Sequence, residues 1–153
     1  MSSARASTLR PSTLRRLEKA ARAAARTSYS PYSKFRVGAA VLTGSGKIYG
    51  GANVENASYG LCNCAERTAI FSAAAAGERN LKAVVVYTPT PAPTMPCGAC
   101  RQVIHEFGSD ATVIAICDSA QRVERTLPEL LPDAFGPRDL LQASSQSPRR
   151  NRR

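Results

Sequence analysis

Residues 83–117 read AVVVYTPTPAPTMPCGACRQVIHEFGSDATVIAIC, and this stretch decides the fold class. Its two ends, Ala83–Thr88 and Ala111–Cys117, are near-continuous apolar runs. A strand with one face in water alternates apolar and polar residues, whereas a strand covered on both faces has no polar side to show; both runs therefore read as strands buried between layers. Between them Cys100, Val103, Ile104 and Phe107 recur at the spacing of one helix face. Toward the N-terminus, Cys64–Ala76 is rich in Ala and unbroken by Gly or Pro, which predicts a helix able to approach a sheet closely. Val37, Ala39 and Val41 alternate up to the turn Gly44-Ser45-Gly46, and Ile48, Ala52 and Val54 continue the period of two beyond it, the pattern of a β-hairpin. A first helix is expected from Pro11, with Leu14, Leu17, Ala21 and Ala24 on its apolar face, and a short element around Leu127–Leu131. The order helix, hairpin, helix, strand, helix, strand implies an α/β three-layer sandwich, a mixed β-sheet covered by helices.

A chain of 153 residues with 43% apolar content supports one core. The expected organisation is a flexible tail over 1–10, a single catalytic domain over 11–135 and a basic, disordered tail over 136–153, in which Ser144–Arg153 holds no apolar residue. The net charge of +10 is unevenly distributed. Residues 1–26 carry seven Arg or Lys against one acid, residues 137–153 five against one, and the middle nine of each sign. Basicity confined to the ends reads as solvated extension, so no nucleic-acid partner is expected. No stretch approaches the ~18 apolar residues needed to cross a membrane, and the start lacks a signal-peptide core. Its Arg, Ser and Ala content resembles a transit peptide, but the helical spacing of its apolar residues is that of a packed helix.

Five cysteines is an odd count, and three fall in tight motifs: Cys64-Ala65-Glu66 and Pro96-Cys97-Gly98-Ala99-Cys100. This favours metal binding in a reducing compartment over a disulfide framework. Cys97 and Cys100, three apart at a helix start, can place two sulfurs on one metal, and Cys64 can supply a third from the other helix start. Three thiolates plus an open position suit a catalytic zinc, and both helix starts point N–H groups and positive dipole ends at the sulfurs. Zinc with three thiolates carries a formal charge of −1, so a cation should compensate. Arg67 and Arg101 qualify, and Arg67 is favoured as a hydrogen-bond donor to the thiolates. Glu66, two residues from a ligand, can lean into the open position and carry protons. The competing arrangement is a closed four-thiolate structural site with Cys62 as fourth ligand, which leaves Glu66 without a task. Otherwise Cys62 and Cys117 read as small buried apolar residues, and His105 as a surface residue.

A Cys or His ligand followed by Glu, with a later P-C-x-x-C, is the pattern of zinc-dependent nucleobase deaminases. The chain further resembles the small homotetrameric cytidine deaminases in SPYSKFRVGAAV (30–41), NVENASYG (53–60), CAER (64–67), PCGACRQ (96–102) and LLPDAF (130–135), in the family's order across about residues 14–135. The resemblance implies one zinc per chain on Cys64, Cys97 and Cys100, with Glu66 as the catalytic proton shuttle while hydroxide attacks C4 of the base. It implies that Phe35 lines the pyrimidine pocket, that Asn53 and Glu55 hold the ribose 3′-hydroxyl, and that backbone near Ala65 contacts the base. Tyr59 and Phe135 would come from neighbouring subunits, Phe135 stacking on the base. The implied reaction is hydrolysis of cytidine and 2′-deoxycytidine to uridine and 2′-deoxyuridine plus ammonia, by a cytoplasmic homotetramer in pyrimidine salvage. A related deaminase with another aminopyrimidine substrate, and a structural-zinc module binding nucleic acid through the arginine tails, are the alternatives.

Overall fold

The computed structural model describes residues 9–145; the outer parts of both expected tails lie outside the described residues. The elements run α1 (Pro11–Ala25), β1 (Gly38–Thr43), β2 (Ile48–Ala52), a 3₁₀ turn (Tyr59–Leu61), α2 (Ala65–Ala75), β3 (Leu81–Tyr87), α3 (Gly98–Phe107), β4 (Thr112–Ile116), β5 (Arg122–Thr126), α4 (Leu127–Leu130) and α5 (Pro137–Ser145). The strands form one sheet in the order β2-β1-β3-β4-β5. Only β3 and β4 pair in parallel, across the α3 crossover; every other neighbour is antiparallel.

The two apolar runs behave as their composition requires. Along β3, Val84 and Val86 join the core beneath α2 and α3, while Ala83 and Val85 join the core beneath α1; Val113 and Ile114 divide the same way along β4. Helix α1 packs Leu14, Leu17 and Ala21 on one face of the sheet, and α2 packs Ala65, Ala69, Ile70 and Ala73 on the other. The result is the expected three-layer arrangement around a mixed sheet.

Two glycines set how closely the helices approach. A Cβ on Gly38 would lie 2.0 Å from the Ala21 carbonyl of α1, and one on Gly51 would lie 2.3 Å from the Ala69 nitrogen of α2. Both helices therefore rest backbone against strand, with alanine where they touch. This is also why β1 departs from the one-faced hairpin the alternation suggests. It lies between β2 and β3 and is buried from Gly38 to Val41, its two faces filled by small residues.

Three further elements differ from the sequence reading. Strand β5 has one partly buried apolar residue, Val123, among charged neighbours, the composition of an edge strand, and its pattern gave no apolar period. The stretch assigned to a tail from residue 136 begins with α5, whose Asp139 accepts from the Gly136 N–H at 2.7 Å at the helix start. His105 is half-buried rather than on the open surface, because Gly136 passes against its ring.

Candidate metal centre and active site

Cys64 is the residue before the first turn of α2, and Cys97 holds the same place before α3, with Cys100 one turn in. The two helix starts meet, so the three sulfurs lie within 4.8 Å of one another, and Cys64 Sγ and Cys97 Sγ are 4.0 Å apart. Tetrahedral zinc with Zn–S bonds of about 2.3 Å needs sulfurs about 3.8 Å apart, so this donor set fits the metal without rearrangement of the helices. Cys62 is not part of the cluster. Its sulfur accepts from the Asn56 N–H at 3.3 Å, and it is half-buried rather than a core residue; Cys117 is fully buried. The three sulfurs thus leave a fourth position to something other than Cys62.

Of the two candidate cations, Arg67 is the one that reaches the sulfurs. Its Nη2 donates to Cys64 Sγ at 3.4 Å. Arg101, the other arginine beside a ligand, turns away: its Nε donates to the Pro96 carbonyl at 2.8 Å and its Nη1 to the Leu130 carbonyl at 3.0 Å. Arg101 therefore ties the chain just before Cys97 to the end of α4. The next residue, Gln102, donates from Nε2 to the Phe135 carbonyl at 2.8 Å, extending the same clamp. The sequence offered Arg101 only as a possible partner for sulfur, and its carbonyl contacts had no local signal.

The charges within the cluster are uneven. A hydrogen bond from the Cys100 thiol, reinforced by Arg67, holds the Cys64 thiol down at about 5, and donating that bond pushes Cys100 well above the usual thiol range. The Cys64 sulfur is thus the one most readily held as thiolate, and a metal on Cys64, Cys97 and Cys100 would favour the thiolate form of all three. Glu66 sits in the first turn of α2 and is 4% exposed. Burial pushes its carboxyl above the ordinary carboxylate range and the Cys64 thiolate adds to the rise, against opposing hydrogen bonds from its own backbone N–H and from Cys100. A buried carboxyl beside a metal site, poised upward, is suited to taking and returning a proton.

Asn53 and Glu55 follow β2, and both are already at work within the chain. Asn53 Oδ1 accepts from Ser28 Oγ at 2.5 Å and from the Val37 N–H at 2.9 Å, while its Nδ2 donates to the Phe35 carbonyl at 2.8 Å. Glu55 accepts from the Tyr32 N–H at 2.9 Å, the Ser33 N–H at 3.2 Å and the Ser33 hydroxyl; the hydroxyl above all holds its carboxyl below the usual range. These bonds fix the 28–37 loop, which carries Phe35. Val54 between them pairs with Tyr29 on one side and with Asn63 on the other, both Val54–Asn63 backbone bonds being 2.9 Å. Asn63 precedes Cys64 and donates from Nδ2 to Thr68 Oγ1 at 3.0 Å. Residues 53–55 are thus stitched to both the 28–37 loop and the metal helix.

Ala65 is fully buried at the first position of α2, where a helix leaves its N–H groups without intrahelical acceptors. The chain alone does not gather Tyr59 and Phe135 into this site. Tyr59 is 73% exposed, its ring edge-on to Tyr32 at 5.9 Å between centroids, and Phe135 is 57% exposed on the segment held by Gln102.

The sequence profile of the cytidine and deoxycytidylate deaminase zinc-binding region matches residues 11–116. A cytidine deaminase of Sporosarcina psychrophila is 48% identical over 120 residues, which cover 78% of this chain and 88% of that protein. One of Mycobacterium tuberculosis is 44% identical over 117 residues, with 76% and 85% covered. Among solved structures, the cytidine deaminase of Burkholderia pseudomallei aligns with a TM-score of 0.76 at 51% identity, covering 79% of this chain and 98% of that one. Because the matched residues 11–116 include both helices that meet at the three sulfurs, the chain belongs to the cytidine and deoxycytidylate deaminase zinc-binding family.

Proposed function

We propose that the protein hydrolyses cytidine and 2′-deoxycytidine to uridine and 2′-deoxyuridine, consuming one water and releasing one ammonia, as a cytoplasmic homotetramer serving pyrimidine salvage. The observation that carries this reading is the buried Glu66 carboxyl beside three sulfurs whose spacing suits zinc. Zinc on Cys64, Cys97 and Cys100 supplies a Lewis acid that makes water nucleophilic near neutral pH. Glu66 moves the protons: its carboxylate takes one from the attacking water and gives it to N3 of the ring as the oxygen bonds to C4. It then takes the second from the new C4 hydroxyl and gives it to the amino group, which leaves as ammonia. Burial serves both transfers by raising the carboxyl's affinity for a proton above that of a solvated carboxylate. Arg67 offsets the charge of the three thiolates.

The hydrogen-bond inventory supports the sugar contact. Of the two Nδ2 hydrogens of Asn53 one is used, and Glu55 has accepted three bonds where a carboxylate has about four positions. One donor and one acceptor remain, which is what a 3′-hydroxyl needs, and that group is common to both sugars. Phe35 lines the base and backbone N–H groups near Ala65 hold its edge. Tyr59 and Phe135, exposed on the single chain, reach the site from neighbouring subunits, Phe135 stacking on the base.

The test is turnover of cytidine and of 2′-deoxycytidine by protein of measured zinc content, followed by ultraviolet absorbance and released ammonia, with Glu66→Ala alongside. Both nucleosides should be consumed by the wild type and neither by the variant, with zinc retained in both. Absence of turnover at one zinc per chain overturns the proposal, and loss of zinc from Glu66→Ala makes Glu66 a structural residue.

A further inference from the structure

The sequence reading assigned the N-terminal basic excess to a solvated extension, but the structure places most of it on a packed helix. Arg10, Arg15, Arg16, Lys19, Arg22 and Arg26 lie on α1 or at its ends, all exposed, with the single acid Glu18 among them. At 3.6 residues per turn, Arg15, Lys19, Arg22 and Arg26 fall within an arc of about 60° and run about 17 Å along the helix. They line a shallow depression of about 450 Å³ together with Glu18 and Ala23. Glu18 is taken up by Arg122 at 3.9 Å. Arg22 is taken up by the Cys117 carbonyl at 2.8 Å, by Asp118 at 3.6 Å and by the Tyr87 ring at 4.4 Å. Arg10, Arg15, Arg16, Lys19 and Arg26 have no ion-pair partner among the described residues.

This arrangement works against the helix that carries it. Arg15 and Lys19, Arg16 and Lys19, Lys19 and Arg22, and Arg22 and Arg26 are like-charge neighbours three or four apart, where a helix is stabilised by opposite signs. The first turn has no acid to meet the positive end of the helix dipole. A face kept only for solubility mixes signs, as residues 27–136 of this chain do. A row of arginines along a straight face suits phosphates, which guanidinium groups grip in pairs. The face has no large apolar side chain to enter a lipid layer, which disfavours a membrane as its partner. We propose that the exposed face of α1 binds the phosphodiester backbone of nucleic acid without reading its sequence. Since α1 covers the face of the sheet opposite α2 and α3, the two surfaces can be occupied at once. The inference does not rest on the deaminase reading.

The experiment is fluorescence anisotropy of the full-length, zinc-loaded protein with a labelled adenosine-only RNA of about 20 nucleotides, which offers the zinc site no pyrimidine, over a salt series from about 50 mM. Duplex DNA of the same length forms a second arm, since each phosphate contact steepens the salt dependence by about 0.9 there and about 0.7 on a single strand. Arg15→Gln with Lys19→Gln and Arg26→Gln should weaken binding at least about tenfold and lower the single-strand slope by about 2, with far-ultraviolet circular dichroism and the thermal midpoint unchanged as the check on folding. A variant with Arg149, Arg150, Arg152 and Arg153 replaced by Ser should retain that part of the slope. The proposal fails if the wild type does not bind at about 50 mM salt, or if the triple variant binds as the wild type does. It also fails if vesicles containing phosphatidylserine are bound in place of RNA.

Discussion

Gly51→Ala tests whether the close seat of α2 on the sheet sets the geometry of the metal site. The new Cβ would lie 2.3 Å from the Ala69 nitrogen and 2.7 Å from the Ala65 carbonyl, both backbone atoms that cannot rotate aside. Restoring the 3.4 Å of ordinary contact from 2.3 Å requires α2 to lift by about 1.1 Å. Overpacking of this kind costs up to about 3 kcal/mol, or on the order of 10 °C in Tm for a chain of this size. The lift also carries Cys64 and Glu66 away from α3, whereas zinc tolerates ligand displacements of only about 0.2 Å. Zinc affinity should therefore fall, and kcat/KM should drop about 100-fold, the usual consequence of a misplacement near 1 Å. The control is Gly50→Ala on the same strand, where the nearest atom to the new Cβ is that of Ala24 at 3.7 Å, and where stability and zinc binding should stay as in the wild type. Urea unfolding with and without zinc, and zinc competition against a chelating dye, measure both effects. Gly51→Ala within about 0.5 kcal/mol of the wild type, with unchanged zinc affinity, would refute the reasoning.

Three further outcomes follow from the site. In zinc-free protein Glu66→Gln should be stabilising at neutral pH, because the folded state raises this carboxyl: its contribution is full below the ordinary carboxylate range and is lost as pH rises toward the raised value. Denaturation midpoints at pH 7 should favour Gln and converge with the wild type in acid; a constant difference across pH excludes the linkage. Arg67→Ala removes a donor to the Cys64 thiolate, so that thiol should rise from about 5 and zinc should be released at higher pH on acid titration; an unchanged release midpoint shows that Arg67 does not support the thiolates. Arg101→Ala strands the Pro96 and Leu130 carbonyls and should cost about 2 kcal/mol while raising KM through the loosened 130–135 segment, with Arg101→Lys restoring only part. A KM equal to that of the wild type removes Arg101 from the site's support.

What the sequence disclosed and what it withheld both have physical causes. The runs 83–88 and 111–117 were legible because double-sided burial removes every polar position from a strand, and the cysteine cluster because ligands at two helix starts have a fixed short spacing. Arg67 was legible for the same reason, being one helical turn from Cys64. Strand β5 was not, since an edge strand shows charge to water on most positions. The both-faced burial of β1 was hidden by glycine and alanine, whose small size is itself the signature of helices resting on the strand. Asn53 and Glu55 matched a motif for sugar contact, yet their role in fixing the 28–37 loop appears only once residues more than fifteen apart in the chain are brought together. The clamp made by Arg101 and Gln102 was silent for the same reason, since the Leu130 and Phe135 carbonyls it holds lie on α4 and beyond it.

The account rests on a three-sulfur site that leaves one position open beside Glu66. X-ray absorption at the zinc edge of the purified protein tests this most directly. The prediction is three sulfur neighbours at about 2.3 Å and one lighter neighbour at about 2.0 Å, whereas four sulfurs at about 2.3 Å would close the site, leave Glu66 nothing to act on and contradict the account.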